Sequence, residues 1–308
     1  MRVAVLMPVL RPGRELGDLM RALRSQTRPP DDIWVAETGP SRETADLVAS
    51  LGGRYVEVPA DGFDHAGTRT RLARNASADR VVLMSQDVVL EQRDALERLL
   101  SPLERGVAAA YGRHLAGAES DAFTSFKRSF LYPGVSREWG LADRNREGFN
   151  ALSFSNAFSA YRTDALAEVG WFGERRLMCE DISTAASLLL RGHRLAYAAD
   201  AAVIHPQDHS LDAELRRYFD IGAVHCMDPR IGTEFGTPGR KGLRFTRAGA
   251  AHLWQSSPGR LPEFAMWCAL KWVAYNLGRR CDRLPRRVCA RLSGLPGWWL
   301  RDETPGRS

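Results

Sequence analysis

Short apolar strands alternate with amphipathic helices over the first 84 residues of the chain. The run Val3–Val9 is almost entirely aliphatic, as expected for a parallel strand that is buried on both faces. Three more strand-like runs follow, each after a connection with helical spacing, at residues 32–37, 54–58 and 80–84. This alternation predicts an α/β fold with a doubly wound, mostly parallel sheet flanked by helices.

The second half of the chain is less regular. Residues 211–227 have a helical pattern, and residues 194–205 favour a hairpin-like pair of strands. Gly and Pro then cluster in Thr233–Gly242, which predicts a boundary between two regions. We therefore expect a main domain over residues 1–235 and a helical, aromatic-rich C-terminal region over residues 236–308.

The net positive charge of the chain is concentrated in its C-terminal region. Residues 240–308 contain 14 Lys or Arg and 4 Asp or Glu, whereas the whole chain has a formal net charge of +6. Tryptophans such as Trp272 and Trp298 lie among these basic residues, and such rings favour membrane interfaces. The composition predicts attachment to an anionic membrane surface; nucleic-acid binding and packing against the main domain are the other interpretations.

Neither a leader nor a membrane span is expected from the sequence. The N-terminal apolar run is too short for a signal peptide. The longest apolar stretch, Phe264–Leu277, is interrupted by Lys271 and falls short of the roughly 20 residues that cross a bilayer. The five cysteines include no CxxC pair, which favours reduced thiols. We therefore expect a cytoplasmic protein.

Three groups that are far apart in the chain are candidates for the chemistry. Asp87 follows a buried strand, Glu180 and Asp181 open a helix, and His205 ends a strand. Ligands of doubly wound sheets bind beyond the carboxyl ends of the strands, so these side chains are expected to meet in one cleft. Carboxylate plus imidazole can hold Mg²⁺ or Mn²⁺ and leave positions for diphosphate oxygens. The structural alternatives are a turn former, a helix cap and a core histidine.

Taken in order, these residues resemble family 2 glycosyltransferases of the GT-A fold over about residues 2–225. The strings FDHAGTR, MSQD, AYGRHL, FSNAFSAYR, CEDI and RRYFDIG are similar to the bacterial rhamnosyltransferase branch. The resemblance implies an inverting enzyme that transfers L-rhamnose from dTDP-L-rhamnose to a hydroxyl of a glycan or lipid-linked glycan during bacterial surface polysaccharide synthesis. It also implies a nucleotide-binding half, at about residues 1–112, and an acceptor half, at about residues 113–235.

The resemblance assigns roles to single residues. Asp87 and His205 would hold the metal, Mg²⁺ or Mn²⁺, on the donor diphosphate. Asp181 would be the general base, with Glu180 as the second catalytic residue. The implied nucleotide-sugar contacts are Pro8, Glu37, His65, Thr68, Arg69, Gln86 and Asp87. The implied acceptor-side residues are Asn156 and Trp171, and the implied diphosphate-side residues are Arg216 and Arg217.

The resemblance and the basic tail together imply a peripheral protein at the inner face of the cytoplasmic membrane. Several alternatives stay open. The donor sugar could instead be galactofuranose or N-acetylglucosamine, because motifs do not report the shape of a sugar pocket. A nucleic-acid-binding protein that uses the Arg-rich tail is disfavoured by the acidic cleft residues and by the lack of a known binding module. The last alternative is a sugar-binding scaffold without catalytic activity.

Overall fold

The structure, a computed structural model, describes residues 1–59, 64–174, 176–206 and 210–300. Phe63, which begins the string FDHAGTR, and residues 301–308 of the basic tail lie outside the described residues. The chain divides into two compact units. The first comprises Met1–Asp143, Leu152–Glu174 and Glu180–Gln207, and the second comprises Arg144–Ala151, Arg175–Cys179 and Asp208–Ser308.

The described part of the first unit contains one sheet of eight strands. The strands are β1 (Val3–Leu10), β2 (Asp32–Thr38), β3 (Arg54–Val58), β4 (Arg80–Met84), β5 (Ala109–Leu115), β6 (Arg137–Trp139), β7 (Phe158–Arg162) and β8 (Leu195–Ile204). Their order across the sheet is β3-β2-β1-β4-β7-β5-β8-β6. β7 is antiparallel to β4 and β5, and β6 is antiparallel to β8; the other neighbours are parallel.

Helices flank this sheet and make up most of the second unit. They are α1 (Glu15–Arg24), α2 (Arg42–Ser50), α3 (His65–Asn75), α4 (Ala95–Glu104), α5 (Ala122–Leu131), α6 (Arg144–Glu147), α7 (Thr163–Glu168), α8 (Glu180–Leu190), α9 (Leu211–Met227), α10 (Pro229–Phe235), α11 (Gly239–Ser256), α12 (Leu261–Gly278), α13 (Arg286–Leu292) and α14 (Pro296–Leu300). The predicted α/β architecture is confirmed.

Local sequence explains the first elements. β1 is buried along most of its length, since it lies between β2 and β4. α1 buries Leu16, Met20 and Leu23, which recur at helical spacing. The side chain of Ser41 accepts a hydrogen bond from the N–H of Thr44 and so caps α2, as its position before a helical pattern predicts.

The predicted hairpin over residues 194–205 is wrong, because these residues form the single strand β8. Its pairing with β5 shifts between Gly112 and Arg113, so that Ala198 pairs with Gly112 and Ala202 with Arg113. A Cβ at Gly112 would lie 2.6 Å from the carbonyl oxygen of Ala201, so only glycine fits opposite the bulge. The extra residues of a bulge were thus mistaken for a turn.

In the second unit, α9 packs closely along α12. A Cβ on Gly222 of α9 would overlap the carbonyl oxygen of Tyr275, and a Cβ on Gly278 of α12 would overlap that of Phe219. The predicted main domain ended near residue 235, whereas α9 belongs to the compact unit of the C-terminal helices. The functional division between a transferase domain ending at residue 235 and a C-terminal region stays a prediction. No helix in the described ranges is long and apolar enough to span a bilayer.

Candidate active site

Four strand ends meet at one edge of the sheet in the first unit. Met84 at the end of β4 pairs with Phe158 at the start of β7, because these strands are antiparallel. The parallel strands β5 and β8 end together, where Leu115 pairs with Ile204. Side chains that follow β4 and β8, or precede β7, therefore share this edge, as expected for a doubly wound sheet.

Asp87 and His205 lie together at this edge. Oδ2 of Asp87 is 3.2 Å from Nε2 of His205, and the side chains are 32% and 6% exposed. Burial acts to raise the pKa of Asp87, but the contact with His205 outweighs it and holds this pKa below its ordinary value. The carboxylate is therefore ionised near neutral pH and partly open to solvent.

Nε2 of His205 is buried, and beyond its 3.2 Å contact with Asp87 it makes no hydrogen bond with the described residues. Neighbouring ligands of an octahedral ion, each about 2.1 Å from the metal, are about 3 Å apart. The donor pair Asp87 and His205 thus fits a divalent cation that takes its other ligands from elsewhere. The described residues contain no group of three or more His, Cys, Asp and Glu that could hold a metal.

His114 supports His205 from the buried side. The Nδ1 atoms of the two rings are 3.3 Å apart, so one must donate and the other accept. His114 is buried and stacks on the ring of Tyr132, with 4.3 Å between ring centroids. Arg128 of α5 donates to the carbonyl of His205 at 2.7 Å. The sequence prediction missed these residues; the only hint for His114 was its place in the string AYGRHL.

Glu180 is held by two partners. Nη1 of Arg69 lies 2.9 Å from Oε1 of Glu180, and Nδ2 of Asn156 donates to the same oxygen at 3.0 Å. Burial acts to raise the pKa of Glu180, but the charge of Arg69 and the other partners hold it below its usual range. Glu180 therefore fixes its neighbours in place and is a weak base.

Tyr161 completes this cluster. Its hydroxyl donates to Oδ1 of Asn156 at 2.6 Å, and Ser159 donates to the same oxygen at 3.1 Å. Burial, together with the charges of Asp181 and Glu180, raises the pKa of Tyr161 well above its ordinary value. The phenol thus stays protonated and orients Asn156. The only hint of this role in the sequence was the place of Tyr161 in the string FSNAFSAYR.

Asp181 lies in the first turn of α8. Its Oδ1 accepts the N–H of Ile182 at 2.8 Å, which is typical of an acidic residue at a helix N-terminus. Asp181 is half-buried, and its charge acts on the Tyr161 hydroxyl. Asp181 directly follows Glu180, so it lies in the same turn of α8 as a member of the cluster.

One backbone hydrogen bond links the two groups of side chains. The N–H of Ser85 donates to the carbonyl of Ala157 at 3.1 Å. Ser85 precedes Asp87 by two residues, and Ala157 directly follows Asn156. The pair of Asp87 and His205 and the cluster around Glu180 thus lie at the ends of adjacent strands.

The predicted nucleotide contact Glu37 is enclosed by protein donors. It is 1% exposed, and its carboxylate accepts hydrogen bonds from the Tyr55 hydroxyl at 2.7 Å, the Ser41 N–H at 2.9 Å and the Thr44 hydroxyl at 3.0 Å. Burial acts to raise the pKa of Glu37, but these donors lower it. The residue therefore anchors the N-terminus of α2, and a nucleotide could bind it only by displacing one of these donors.

Other predicted nucleotide contacts also have protein partners. The carboxamide of Gln86 binds the N–H of Leu10 at 2.8 Å and so ties the end of β1 to that of β4. His65 begins α3, and its Nδ1 lies 3.3 Å from Nη1 of Arg69. Thr68 is buried one turn along α3, and Pro8 is partly exposed in β1.

The predicted acceptor-side residue Trp171 packs against α3. The guanidinium of Arg74 lies 5.8 Å from the centre of its ring, and its φ of 63° is rare for a residue with a side chain. The hydroxyl of Thr70 donates to the carbonyl of Gly173 at 2.9 Å and holds the same loop. The role of Trp171 toward an acceptor stays a prediction.

The predicted diphosphate-side residues Arg216 and Arg217 belong to the second unit. Arg216 binds Asp212 at 2.8 Å and donates to the carbonyl of Arg291 at 2.6 Å, so it anchors the end of α13. Their role at a diphosphate stays a prediction.

The model of the family described as "Glycosyltransferase like family 2" matches residues 2–219. The chain belongs to this family. It is therefore a glycosyltransferase, and the resemblance inferred from the sequence is confirmed.

Curated relatives of this family 2 glycosyltransferase match it along nearly its whole length. The O-antigen chain rhamnosyltransferase RfbN of Salmonella typhimurium is 29% identical over 97% of this chain and 96% of its own. The O-antigen chain rhamnosyltransferase WbaN of Salmonella anatum is 29% identical over 90% of this chain and 89% of its own.

Solved structures share the GT-A fold of this glycosyltransferase. The mannosyltransferase PcManGT from Pyrobaculum calidifontis, in complex with GDP-Man and Mn²⁺, superposes with a TM-score of 0.63 at 15% identity and covers 92% of this chain and 88% of its own. S. aureus TarS 1-349 in complex with UDP-GlcNAc has a TM-score of 0.54 at 13% identity and covers 92% of both chains. At these identities the likeness concerns the fold.

Proposed function

We propose that this glycosyltransferase transfers L-rhamnose from dTDP-L-rhamnose to a hydroxyl of a glycan or lipid-linked glycan in bacterial surface polysaccharide synthesis. The main support for the donor sugar is the similarity to two O-antigen chain rhamnosyltransferases over at least 89% of each chain. The main support for the chemistry is the contact between Asp87 and His205 beside the cluster that contains Asp181.

Asp87 and His205 are the proposed ligands of Mg²⁺ or Mn²⁺. The buried Nε2 of His205 and the ionised carboxylate of Asp87, which lie 3.2 Å apart, supply two of the ligands that such ions accept. A divalent cation bound there would neutralise charge on the departing diphosphate. The mannosyltransferase with the same fold is described as a complex with Mn²⁺ and a nucleotide sugar.

Asp181 is the proposed general base. The acceptor hydroxyl forms a bond to the anomeric carbon as the bond to the diphosphate oxygen breaks, and the hydroxyl proton passes to the Asp181 carboxylate. A single displacement inverts the anomeric centre. Glu180 is unsuited to this step, because Arg69 and Asn156 already bind its carboxylate. We assign Glu180 the role of a positioning residue.

Nucleotide-sugar contacts are proposed along the N-terminal half. Arg69 is one of them, and its side chain, which binds Glu180 through Nη1, is 12% exposed. The further proposed contacts are Pro8, Glu37, His65, Thr68, Gln86 and Asp87, with Arg216 and Arg217 at the diphosphate and Asn156 and Trp171 toward the acceptor.

The proposed location is the cytoplasmic side of the cytoplasmic membrane, as a peripheral protein. The support is the basic, tryptophan-rich C-terminal region together with the similarity to enzymes of O-antigen assembly. No nucleic-acid partner is proposed.

The test is a donor panel with purified protein and Mg²⁺, in which dTDP-rhamnose is compared with nucleotide-linked galactofuranose and N-acetylglucosamine. We expect release of the nucleoside diphosphate from dTDP-rhamnose alone. Release from another donor instead would refute rhamnose as the transferred sugar.

The residue roles are tested by substitution. Asp181→Asn is expected to lower kcat by about 10²–10⁴-fold, with donor binding near the wild-type level. Asp164→Asn, at the first turn of α7, is the matched control. Wild-type turnover in Asp181→Asn would remove Asp181 as the base.

Asp87→Asn is expected to weaken Mn²⁺ binding. Electron paramagnetic resonance of Mn²⁺ with nucleoside diphosphate present would measure this affinity.

A further inference from the structure

The second unit has a helix, α12, with a buried side and an exposed apolar side. Phe264, Lys271 and Gly278 lie seven residues apart on the buried side of α12, which packs along α9. Lys271 is neutralised there by Glu214, whose Oε2 lies 2.9 Å from its Nζ. The packing of α12 within its own unit is therefore complete on this side.

The opposite side of α12 is apolar and exposed. Met266, Leu270, Val273 and Leu277 recur at intervals of four, three and four residues and form one stripe, with exposed fractions between 37% and 55%. Trp272, the residue before Val273, is 68% exposed. A helix in water normally has polar residues on such a side, and this exposed patch therefore indicates a binding surface.

Exposed cations follow this stripe in the chain. Arg279 and Arg280 directly follow α12, and Arg283 lies within the next turn. Residues 240–300 contain 12 Lys or Arg and only 2 Asp or Glu. An apolar strip beside arginines matches a surface with an acyl interior and anionic headgroups. A second copy of the chain matches poorly, since two such faces would bring like charges together.

We infer that the outer stripe of α12 (Met266, Leu270, Val273 and Leu277) inserts into the headgroup region of an anionic phospholipid bilayer, with Trp272 at the interface and the arginines after α12 at the phosphates. The inference rests on the proposed membrane location and specifies the surface that makes the contact.

The test is sedimentation with vesicles of phosphatidylglycerol and phosphatidylcholine. The double variant Met266→Gln, Val273→Gln replaces exposed side chains, so its melting temperature should equal that of the wild type. We expect it to bind phosphatidylglycerol vesicles about tenfold more weakly than the wild type. Val135→Gln, at a residue of the first unit that is 74% exposed, is the matched control and should bind as the wild type does.

The outcomes distinguish a failure of the α12 surface from a failure of the proposed membrane location. If the wild type ignores anionic vesicles while it still cleaves the donor, the membrane location fails and the inference fails with it, but the transferase assignment stands. If the wild type binds and the double variant binds equally well, another surface makes the contact and the inference is overturned. It is also overturned if the wild type is a dimer in size-exclusion chromatography that the double variant dissociates without losing vesicle binding.

Discussion

Arg69 and Glu180 form an ion pair of 2.9 Å that joins the second turn of α3 to the first turn of α8. Their side chains are only 12% and 8% exposed. The pair brings a helix of the N-terminal half to the helix that carries the proposed base, Asp181. The position of Asp181 thus depends on a contact between residues 111 positions apart in the chain.

Glu180→Gln is expected to lower the free energy of unfolding by about 3 kcal/mol, because it leaves the buried guanidinium of Arg69 without its counter-charge. Urea denaturation would measure this loss. The control is Glu174→Gln, since Glu174 lies 4.0 Å from Arg74 of the same helix at an exposed position. Removing that surface pair should cost less than about 1 kcal/mol. Equal losses in both variants would contradict a structural role for the Arg69–Glu180 pair.

His114→Phe is expected to weaken Mn²⁺ binding by about 10- to 100-fold, because the ring would no longer fix the orientation and tautomer of His205 through the 3.3 Å contact between their Nδ1 atoms. Electron paramagnetic resonance of Mn²⁺ with nucleoside diphosphate would measure the affinity. Tyr132→Phe keeps the ring that stacks on His114 and should leave the affinity close to the wild-type value. Unchanged binding in His114→Phe would remove His114 as a positioning residue.

Gly278→Ala is expected to destabilise the protein by about 1–3 kcal/mol or more, because the added methyl would overlap the backbone of Phe219 and force α12 away from α9. Gly242→Ala is the same substitution in α11, where a Cβ would meet nothing within 4 Å. It should stabilise the protein by about 0.5–1 kcal/mol, since alanine favours helix. Thermal unfolding followed by circular dichroism compares the two, and a similar change in both would speak against the close packing of α9 on α12.

Asp220→Asn is expected to change how stability depends on pH. Burial raises the pKa of Asp220 to about 6, although hydrogen bonds from Ser293 and Gly294 oppose this rise. The folded state therefore holds its proton more tightly than the unfolded state, so the wild type loses stability as the pH rises from about 4 to about 6. This loss amounts to at most about 3 kcal/mol, at 1.36 kcal/mol for each pKa unit.

Urea denaturation between pH 4.5 and 7.5 tests this expectation. The advantage of Asp220→Asn over the wild type should grow with pH across this window and then level off. Asp282→Asn, at an exposed position of the same unit, should keep a constant difference from the wild type. An advantage of Asp220→Asn that shrinks with rising pH would contradict the prediction.

The sequence alone predicted the α/β sheet, its first strands and the family, because these depend on local patterns. Aliphatic runs such as Val3–Val9, the cap at Ser41 and the order of Asp87, Asp181 and His205 are all visible in the chain. The bulge in β8 was not visible, since it depends on how Gly112 fits against another strand.

Only the tertiary structure distinguished the surroundings of neighbouring acids. Glu180 and Asp181 are adjacent in the sequence, yet Arg69 and Asn156 bind the Glu180 carboxylate, whereas the Asp181 carboxylate accepts the N–H of Ile182 at the helix N-terminus. The sequence predicted Glu37 as a nucleotide contact, but its carboxylate is enclosed by hydrogen-bond donors of α2 and β3. The contact of His114 with His205 likewise appears only after β5 and β8 pair. The physical reason is that the protonation and accessibility of a polar side chain depend on its neighbours in space, whereas the pattern that builds a strand or a helix depends on its neighbours in the chain.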